Sequence, residues 1–439
     1  MIASLVGLAM IAFASSFYSD AMLFPGEAAL LPCIGAALVI WPRVQMTFAD
    51  KALSIFPLRW IGLASYSLYL WHWPVLVFYR HYALGEMPDG VTTAALIALS
   101  VALAFFSLFF IERPARRVPA PAPRVIRVGF AGASCLVALG GAILFVDGAP
   151  QRVSQEARGL SEIDRLWAWE CPSHTRLTGD TKARCTAGKP YETAARKAVV
   201  WGDSHAEHLM PILDVLGKKY DTSIVLLRTC SPAYDEEVYR LFPTRAWYRA
   251  HCARQNRAVL DVLKRHSDIS MVITSAFATH DLTNMRYERD GAGVVSGAPA
   301  LAEGFQRRIA ETTGPSRAFV LVGNVPRWNV TGREPHACLL AAHSTLISEP
   351  CDTRTLAIPR TAFMAEAASY FAMLDTVAGK NPQVRSLAGG RGLRRDAQCI
   401  SVIDGTFIYR DDHHLRRDLP PYVLERLGVL LGLDDVLAR

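Results

Sequence analysis

The sequence predicts a two-part chain: an α-helical membrane segment followed by a soluble α/β domain on a doubly wound parallel sheet. Three observations predict it. Apolar residues crowd into the first third, in runs long enough to cross a bilayer. After about residue 150 the composition becomes that of a soluble domain. There, short apolar runs bounded by turn residues alternate with helical periodicity, the pattern of strand–helix–strand units.

The expected spans are residues 1–19, 22–42, 60–79, 91–111 and 128–146. Runs 1–19 and 91–111 contain no charged residue, and 22–42 contains only Glu27. A cleaved signal peptide fits residues 1–19 poorly, because no basic segment precedes them and further apolar runs follow. Loop 43–59 holds Arg43, Lys51 and Arg59, and loop 112–127 holds Arg113, Arg116, Arg117, Arg124 and Arg127. The alternate loops have at most Arg80, so the positive-inside rule puts the basic loops in the cytoplasm and everything after residue 147 outside it. His72 lies inside the third run, where a histidine is functional by default. Its neighbours Trp71 and Trp73 allow the other reading, an interfacial aromatic belt, and Pro74 is expected to kink the helix or restart it.

The net charge of +7 comes with no dense Lys/Arg block and no aromatic-interleaved basic stripe, which argues against a nucleic-acid partner. Of nine cysteines, Cys33 and Cys135 fall in apolar runs. The other seven fall in the soluble part and form no CxxC pair, so a zinc ribbon is not indicated. Their spacing allows Cys171–Cys185, Cys230–Cys252 and Cys338–Cys351 to pair, leaving Cys399; buried free thiols are the alternative. Disulfides would need an oxidising compartment, in agreement with the loop charges.

The chain divides into membrane helices over 1–147, a linker and entry region with mixed helix and turn signals over 148–196, and a soluble domain over 197–439. Apolar runs at 197–201, 223–227, 270–274 and 318–323 read as buried parallel strands, with a further candidate at 400–403. Stretches 205–218, 246–266, 301–312 and 360–379 read as helices. The site is expected at the carboxyl ends of the strands.

The segment Lys197-Ala-Val-Val-Trp-Gly-Asp-Ser-His205 makes a strand, a tight Gly202-Asp203 turn and a helix start. A serine there presents its hydroxyl at a helix N-terminus, where backbone N–H groups favour a developing oxyanion. Ser204 could equally be a plain helix cap. Near the other end stands Asp404-Gly-Thr-Phe-Ile-Tyr-Arg-Asp-Asp-His-His-Leu415. The three-residue step from Asp411 to His414 lets a carboxylate meet its own histidine's Nδ1 and leaves Nε2 for a serine proton. A charged surface loop, or a metal cluster of Asp411, Asp412, His413 and His414, is the alternative. No second histidine pair at ligand spacing supports the metal, so none is expected. His208, four residues after Ser204, reads as a surface histidine on the helix.

Gly202-Asp203-Ser204-His205 and Asp411-x-x-His414, about 210 residues apart, resemble the blocks of the SGNH hydrolase family, which includes GDSL-type esterases and carbohydrate O-acetylesterases. The resemblance implies an SGNH-type, flavodoxin-like sheet, with Ser204 as nucleophile, His414 as general base and then acid, and Asp411 as its orienting partner. It assigns Gly202, Asp203 and Ser204 to the oxyanion turn. No Gly-x-Asn-Asp block occurs: Thr274 to His280 stands where it is expected, Gly323-Asn324 reads as the end of a strand, and the Ser204 N–H is the one donor assigned. Pro57 to Phe78 (PLRWIGLASYSLYLWHWPVLVF) and Phe110-Ile-Glu-Arg-Pro-Ala-Arg116 look like the closing helices of the acyltransferase-3 family, and Phe24-Pro25-Gly26 followed by Leu31 to Ala36 resembles the part that precedes them. That resemblance implies early membrane helices with their own catalytic residues ahead of residue 1, absent from this sequence.

Together these resemblances imply a multi-pass protein of a bacterial inner membrane whose periplasmic domain moves acyl groups, acetyl foremost, onto a surface polysaccharide or lipopolysaccharide. The acyl source would be acyl-CoA (acetyl-CoA), with no cofactor held by the chain. The partners are a glycan acceptor, the lipid bilayer and the missing membrane portion. A periplasmic esterase that strips acyl groups from glycan is the runner-up, since one triad serves both reactions. A tethered glycan-binding domain with a decayed site is the third reading.

Overall fold

The structure, a computed structural model, describes residues 2–18, 26–41, 48–83, 87–117, 121–146, 163–242, 247–288, 293–313, 317–328, 357–387 and 392–439. It separates into two compact units that divide near residue 152.

The first unit is helical: α1 (Ile2–Phe17), α2 (Leu30–Ile40), α3 (Phe56–Tyr82), α4 (Gly90–Ser107) and α5 (Ala122–Phe145). Gly7 and Gly35 let α1 and α2 touch backbone to backbone; a Cβ on Gly7 would lie 2.4 Å from the Gly35 carbonyl oxygen. Two polar side chains of α3 are paired within the unit. Trp71 Nε1 donates to Ser107 Oγ at 2.8 Å, and Ser67 Oγ donates to Glu112. Of the five expected spans, two helices among the described residues are long and apolar enough to cross a membrane, Gly90–Arg116 and Pro123–Phe145. The helices near the start, Ala3–Phe17 and Glu27–Ile40, are too short by that measure. Helix α3 has the length but contains Arg59, His72, Arg80 and His81. It runs through Pro74 without a break.

The second unit carries a seven-stranded mixed sheet: β1 (Ser173–Thr175), β2 (Arg184–Gly188), β3 (Arg196–Gly202), β4 (Thr222–Arg228), β5 (Met271–Ser275), β6 (Ala318–Val322) and β7 (Val384–Leu387), in spatial order β1-β2-β4-β3-β5-β6-β7. The strands β4, β3, β5, β6 and β7 are mutually parallel. Numbered along the chain they follow the 2-1-3-4-5 order of doubly wound sheets. The central strand explains the sequence signal: Ala198 to Trp201 are all buried, as in a strand covered on both faces.

Three sequence expectations need correction. Strands β1 and β2 lie inside 148–196, so that stretch extends the sheet by two antiparallel strands instead of serving as linker throughout. The last parallel strand is Val384–Leu387, and Val402–Ile403 forms a small hairpin with Thr406–Phe407. Asp404 and Gly405, both at positive φ, turn that hairpin. The helix after β3 is two pieces, α6 (Ser204–Glu207) and α7 (Met210–Lys219), because Pro211 starts α7 afresh.

Helices α8 (Trp247–Arg265), α9 (Ala298–Thr312), α10 (Arg360–Gly379) and α11 (Pro421–Leu430) complete the layers, α7 packing on α11 and α9 on α10. Trp201 is fully buried and its indole N–H reaches Thr229 Oγ1 and Asn256 Oδ1, at 2.8 and 3.1 Å. Asn256 in turn donates to the Ser231 and Tyr234 carbonyls, so this buried polar group is satisfied. Disulfides join Cys171 to Cys185 and Cys230 to Cys252. Cys338 and Cys351 lie outside the described residues; Cys399 is a buried free thiol.

Candidate active site

Strand β3 ends at Gly202, which sits beside Ser275 of β5. A Cβ there would fall 1.8 Å from the Ser275 carbonyl oxygen, so the close approach of the strands requires glycine. Asp203 caps α6. Its carboxylate accepts from the His205 N–H at 2.9 Å and from the Phe277 N–H at 3.0 Å, tying the nucleophile turn to the segment after β5. Burial pushes the Asp203 carboxyl up, against the pull of those two N–H groups. Ser204 is the first residue of α6, where an N–H has no intrahelical acceptor.

The second half comes from the turn after Tyr409. Asp411 Oδ1 accepts the backbone N–H of His413 at 3.1 Å and of His414 at 2.8 Å, a carboxylate-closed turn. That turn folds His414 Nδ1 back onto the same carboxylate, at 2.9 and 3.0 Å from its two oxygens. His414 Nε2 then lies 2.8 Å from Ser204 Oγ. Burial pushes the Asp411 carboxyl up, but the hydrogen bonds and charge of His414 and the N–H of His413 outweigh it, leaving the group well below the usual carboxylate range. The sequence-identified Ser204, Asp411 and His414 are therefore in one hydrogen-bonded line. A carboxylate that holds the Nδ1 hydrogen leaves Nε2 free to take a hydroxyl proton, the arrangement acyl-enzyme chemistry needs. Trp167 meets the His414 ring edge-on at 5.1 Å, and Arg410 and Arg417 lie over the indole at 4.7 and 5.0 Å.

Several neighbours were not legible as site residues. His208 is not a surface histidine: it is buried at the end of α6, and its Nδ1 accepts the Leu415 N–H at 3.4 Å. Burial, then the charge of His414, holds it well below the ordinary histidine range. Asn324, just past β6, is buried inside the site instead of merely ending a strand. Its Oδ1 accepts from the Ala278 N–H at 3.1 Å, and its Nδ2 donates to the Ala276 carbonyl at 2.9 Å. The same Nδ2 faces His205 Nδ1 at 3.1 Å, so that ring nitrogen must accept and Nε2 carries the hydrogen. Thr274 to Ala278 thus supply the backbone N–H groups that hold Asp203 and Asn324. The signal that could have found Asn324 is its place, two residues beyond a parallel strand's carboxyl end, on the edge where Ser204 stands.

Nitrogens of His205, His413 and His414 lie within 4.8 Å of one another, as do ligand atoms of Asp411, Asp412 and His413. His205 Nε2 bears a hydrogen and His414 Nε2 engages Ser204, so a metal in the first group would have to break both arrangements. His72, in the first unit, is exposed on α3. Its Nδ1 lies 2.7 Å from the Tyr69 carbonyl, and the ring lines an apolar cleft of about 590 Å³ between α3 and α4, with Tyr69, Leu76, Leu96 and Ile97.

Among curated proteins, the chain is 28% identical over 106 residues to the peptidoglycan O-acetyltransferase OatA of Listeria monocytogenes, covering 24% of this chain and 17% of that one. It is 44% identical over 68 residues to the O-acetyltransferase OatA of Staphylococcus aureus, covering 15% and 11%. To the putative membrane-bound transacylase BcsY of Komagataeibacter xylinus it is 31% identical over 107 residues, covering 24% and 26%. Each match spans about a quarter of the relative's length or less. The family model of the SGNH domain (fused to AT3 domains) matches residues 170–418, a range that holds the nucleophile turn, the Asp411–His414 turn and every strand of the large sheet. The chain belongs to the SGNH family whose domains are fused to AT3 domains.

Proposed function

We propose that this chain is a membrane-anchored O-acyltransferase that moves acyl groups, acetyl foremost, to hydroxyls of a cell-surface glycan through an ester on Ser204. The observation that carries the reading is His414, whose imidazole bridges Ser204 Oγ and the Asp411 carboxylate. In the first half-reaction Ser204 Oγ attacks the donor's acyl carbon while His414 Nε2 takes its proton and returns it to the leaving group. In the second, an acceptor hydroxyl attacks the seryl ester, gives its proton to His414, and Ser204 recovers that proton as it leaves. The Ser204 N–H, at the start of α6, stands nearest the developing oxyanion.

Relatives named as O-acetyltransferases support transfer over hydrolysis, and the peptidoglycan named for one of them supports a cell-wall or other surface glycan as acceptor. Two disulfides in the second unit, with the basic loops 43–59 and 112–127 of the first, support a multi-pass chain with its SGNH domain in the periplasm. Acyl-CoA, handled in the cytoplasm by acyltransferase-3 helices, is the proposed acyl source, and His72 the proposed membrane-side residue.

The test uses the full chain in detergent with p-nitrophenyl acetate as donor and an oligosaccharide as acceptor. Acetylated sugar is expected, and Ser204→Ala should lower its formation at least about 10³-fold. Free acetate alone, at every acceptor concentration, would make the protein an esterase.

A further inference from the structure

Inside the Asp411–His414 pair lies a second Asp–His pair. Asp412 Oδ1 stands 2.5 Å from His413 Nδ1. The pair is anchored from behind. Asp412 Oδ2 lies 3.5 Å from the guanidinium of Arg327, which is itself 4% exposed and bound to Glu366, and the Asp412 carbonyl accepts the Trp328 N–H at 2.8 Å. The His413 ring is also held by packing. Phe277 is 4.7 Å away, His205 lies nearly parallel at 5.5 Å, and the His414 ring is 4.0 Å away. Yet His413 is a quarter exposed, with side-chain accessibility of 25%, and its Nε2 has no hydrogen-bond partner among the described residues. A carboxylate and a buried arginine thus orient an imidazole that forms no hydrogen bond to Ser204.

We propose that His413, oriented by Asp412, positions the acceptor: in its neutral form Nε2 accepts a hydrogen bond from a second hydroxyl of a polyol whose neighbouring hydroxyl attacks the ester on Ser204. The inference rests on the acyl-enzyme reading above. His414 remains the group that takes and returns the proton, and His413 transfers none. The ring spacing suits two hydroxyls of one sugar, one on each imidazole. A mono-alcohol has a single hydroxyl hydrogen and cannot donate to both. The pair therefore favours a polyol over a mono-alcohol in the step that releases the acyl group from Ser204.

The test compares matched acceptors, propane-1,2-diol and 1-propanol, with p-nitrophenyl acetate as donor and the full chain in detergent. Products are counted against free acetate by mass spectrometry. In the wild type the diol is expected to be acetylated at least about fivefold more than the mono-ol. His413→Ala should lower the diol-to-mono-ol product ratio by about five- to tenfold, the worth of one hydrogen bond between neutral groups. His413→Gln, whose amide oxygen accepts, should recover part of it, and Asp412→Asn should lower it in the same direction as His413→Ala. An unchanged ratio in His413→Ala, or no preference for the diol in the wild type, overturns the proposal. If Ser204→Ala releases p-nitrophenol as fast as the wild type, the acyl-enzyme reading fails instead, and the two failures are distinguishable.

Discussion

Asn324 and His205 meet nitrogen to nitrogen at 3.1 Å, and that contact sets which ring nitrogen next to the nucleophile carries its hydrogen. The assignment follows from the other two bonds of the amide, to Ala278 N–H and the Ala276 carbonyl. It leaves His205 Nε2 as a buried donor with no acceptor among the described residues, a group that costs stability to keep. Asn324→Asp puts an oxygen where Nδ2 was, facing the Ala276 carbonyl, and obliges His205 to move its hydrogen to Nδ1. The expected result is a loss of about 2 kcal/mol in chemical denaturation. It should come with a change of the His205 tautomer in ¹⁵N spectra and a fall in p-nitrophenyl acetate turnover. A variant as stable as the wild type, with its tautomer unchanged, would contradict the arrangement.

Asp411 serves the site twice, through the His413 and His414 backbone N–H groups and through His414 Nδ1. Asp411→Asn keeps an oxygen for the turn but loses the charge that holds the imidazole in its working tautomer. Hydrolysis of p-nitrophenyl acetate should fall by about 10⁴-fold at pH 7 with the fold intact by circular dichroism. A fall of less than about tenfold would mean that another group orients His414.

How far the sequence carried this picture depended on whether a signal was local. Four of the five parallel strands were legible, because a strand buried on both faces is a continuous apolar run, as in Ala198 to Trp201. The fifth, Val384–Leu387, was not, since its half-exposed Arg385 and Ser386 break the run. Gly202-Asp203-Ser204 and Asp411-x-x-His414 were legible because each closes its own turn by hydrogen bonds between near neighbours. Asn324, His208, Trp167 and Arg327 were not. Each reaches the site through tertiary contacts, and an isolated polar or aromatic residue in a sequence does not say which way it faces. His208 shows the trap: four residues after a helix start reads as surface, but Pro211 ends that helix early and the ring turns inward.

Two buried neutral histidines give the second unit a pH signature. Burial, with nearby positive charge, holds both His205 and His208 well below the ordinary histidine range. Their folded pKa values are depressed, so above about pH 6.5 both states are neutral and nothing is lost. As pH falls below 6.5 the unfolded chain takes up protons that the folded chain refuses, and stability declines. Each such histidine contributes up to about 1.4 kcal/mol per pH unit in that window. The unfolding midpoint should drop steadily from pH 6.5 to 5. His208→Asn, whose Oδ1 can accept the Leu415 N–H, should make the slope shallower by roughly half. An identical slope in the variant would mean that His208 protonates freely in the folded protein.

Gly202 separates a packing requirement from a backbone one. Its alanine would drive a Cβ to 1.8 Å from the Ser275 carbonyl oxygen, an atom fixed in the neighbouring strand. The strands β3 and β5 must then part, at a cost of about 3 kcal/mol, and Ser204, two residues on, moves off His414. Gly405 offers the control. It sits at φ +79° with open space around its Cα, so Gly405→Ala meets left-handed strain alone, about 1–2 kcal/mol. Gly202→Ala is therefore expected to lower both the thermal midpoint and ester hydrolysis, the latter by at least about a hundredfold. Gly405→Ala should lower the midpoint less and leave hydrolysis within about twofold. Should Gly202→Ala retain hydrolysis at the level of Gly405→Ala, the strand edge would not be what aims the serine.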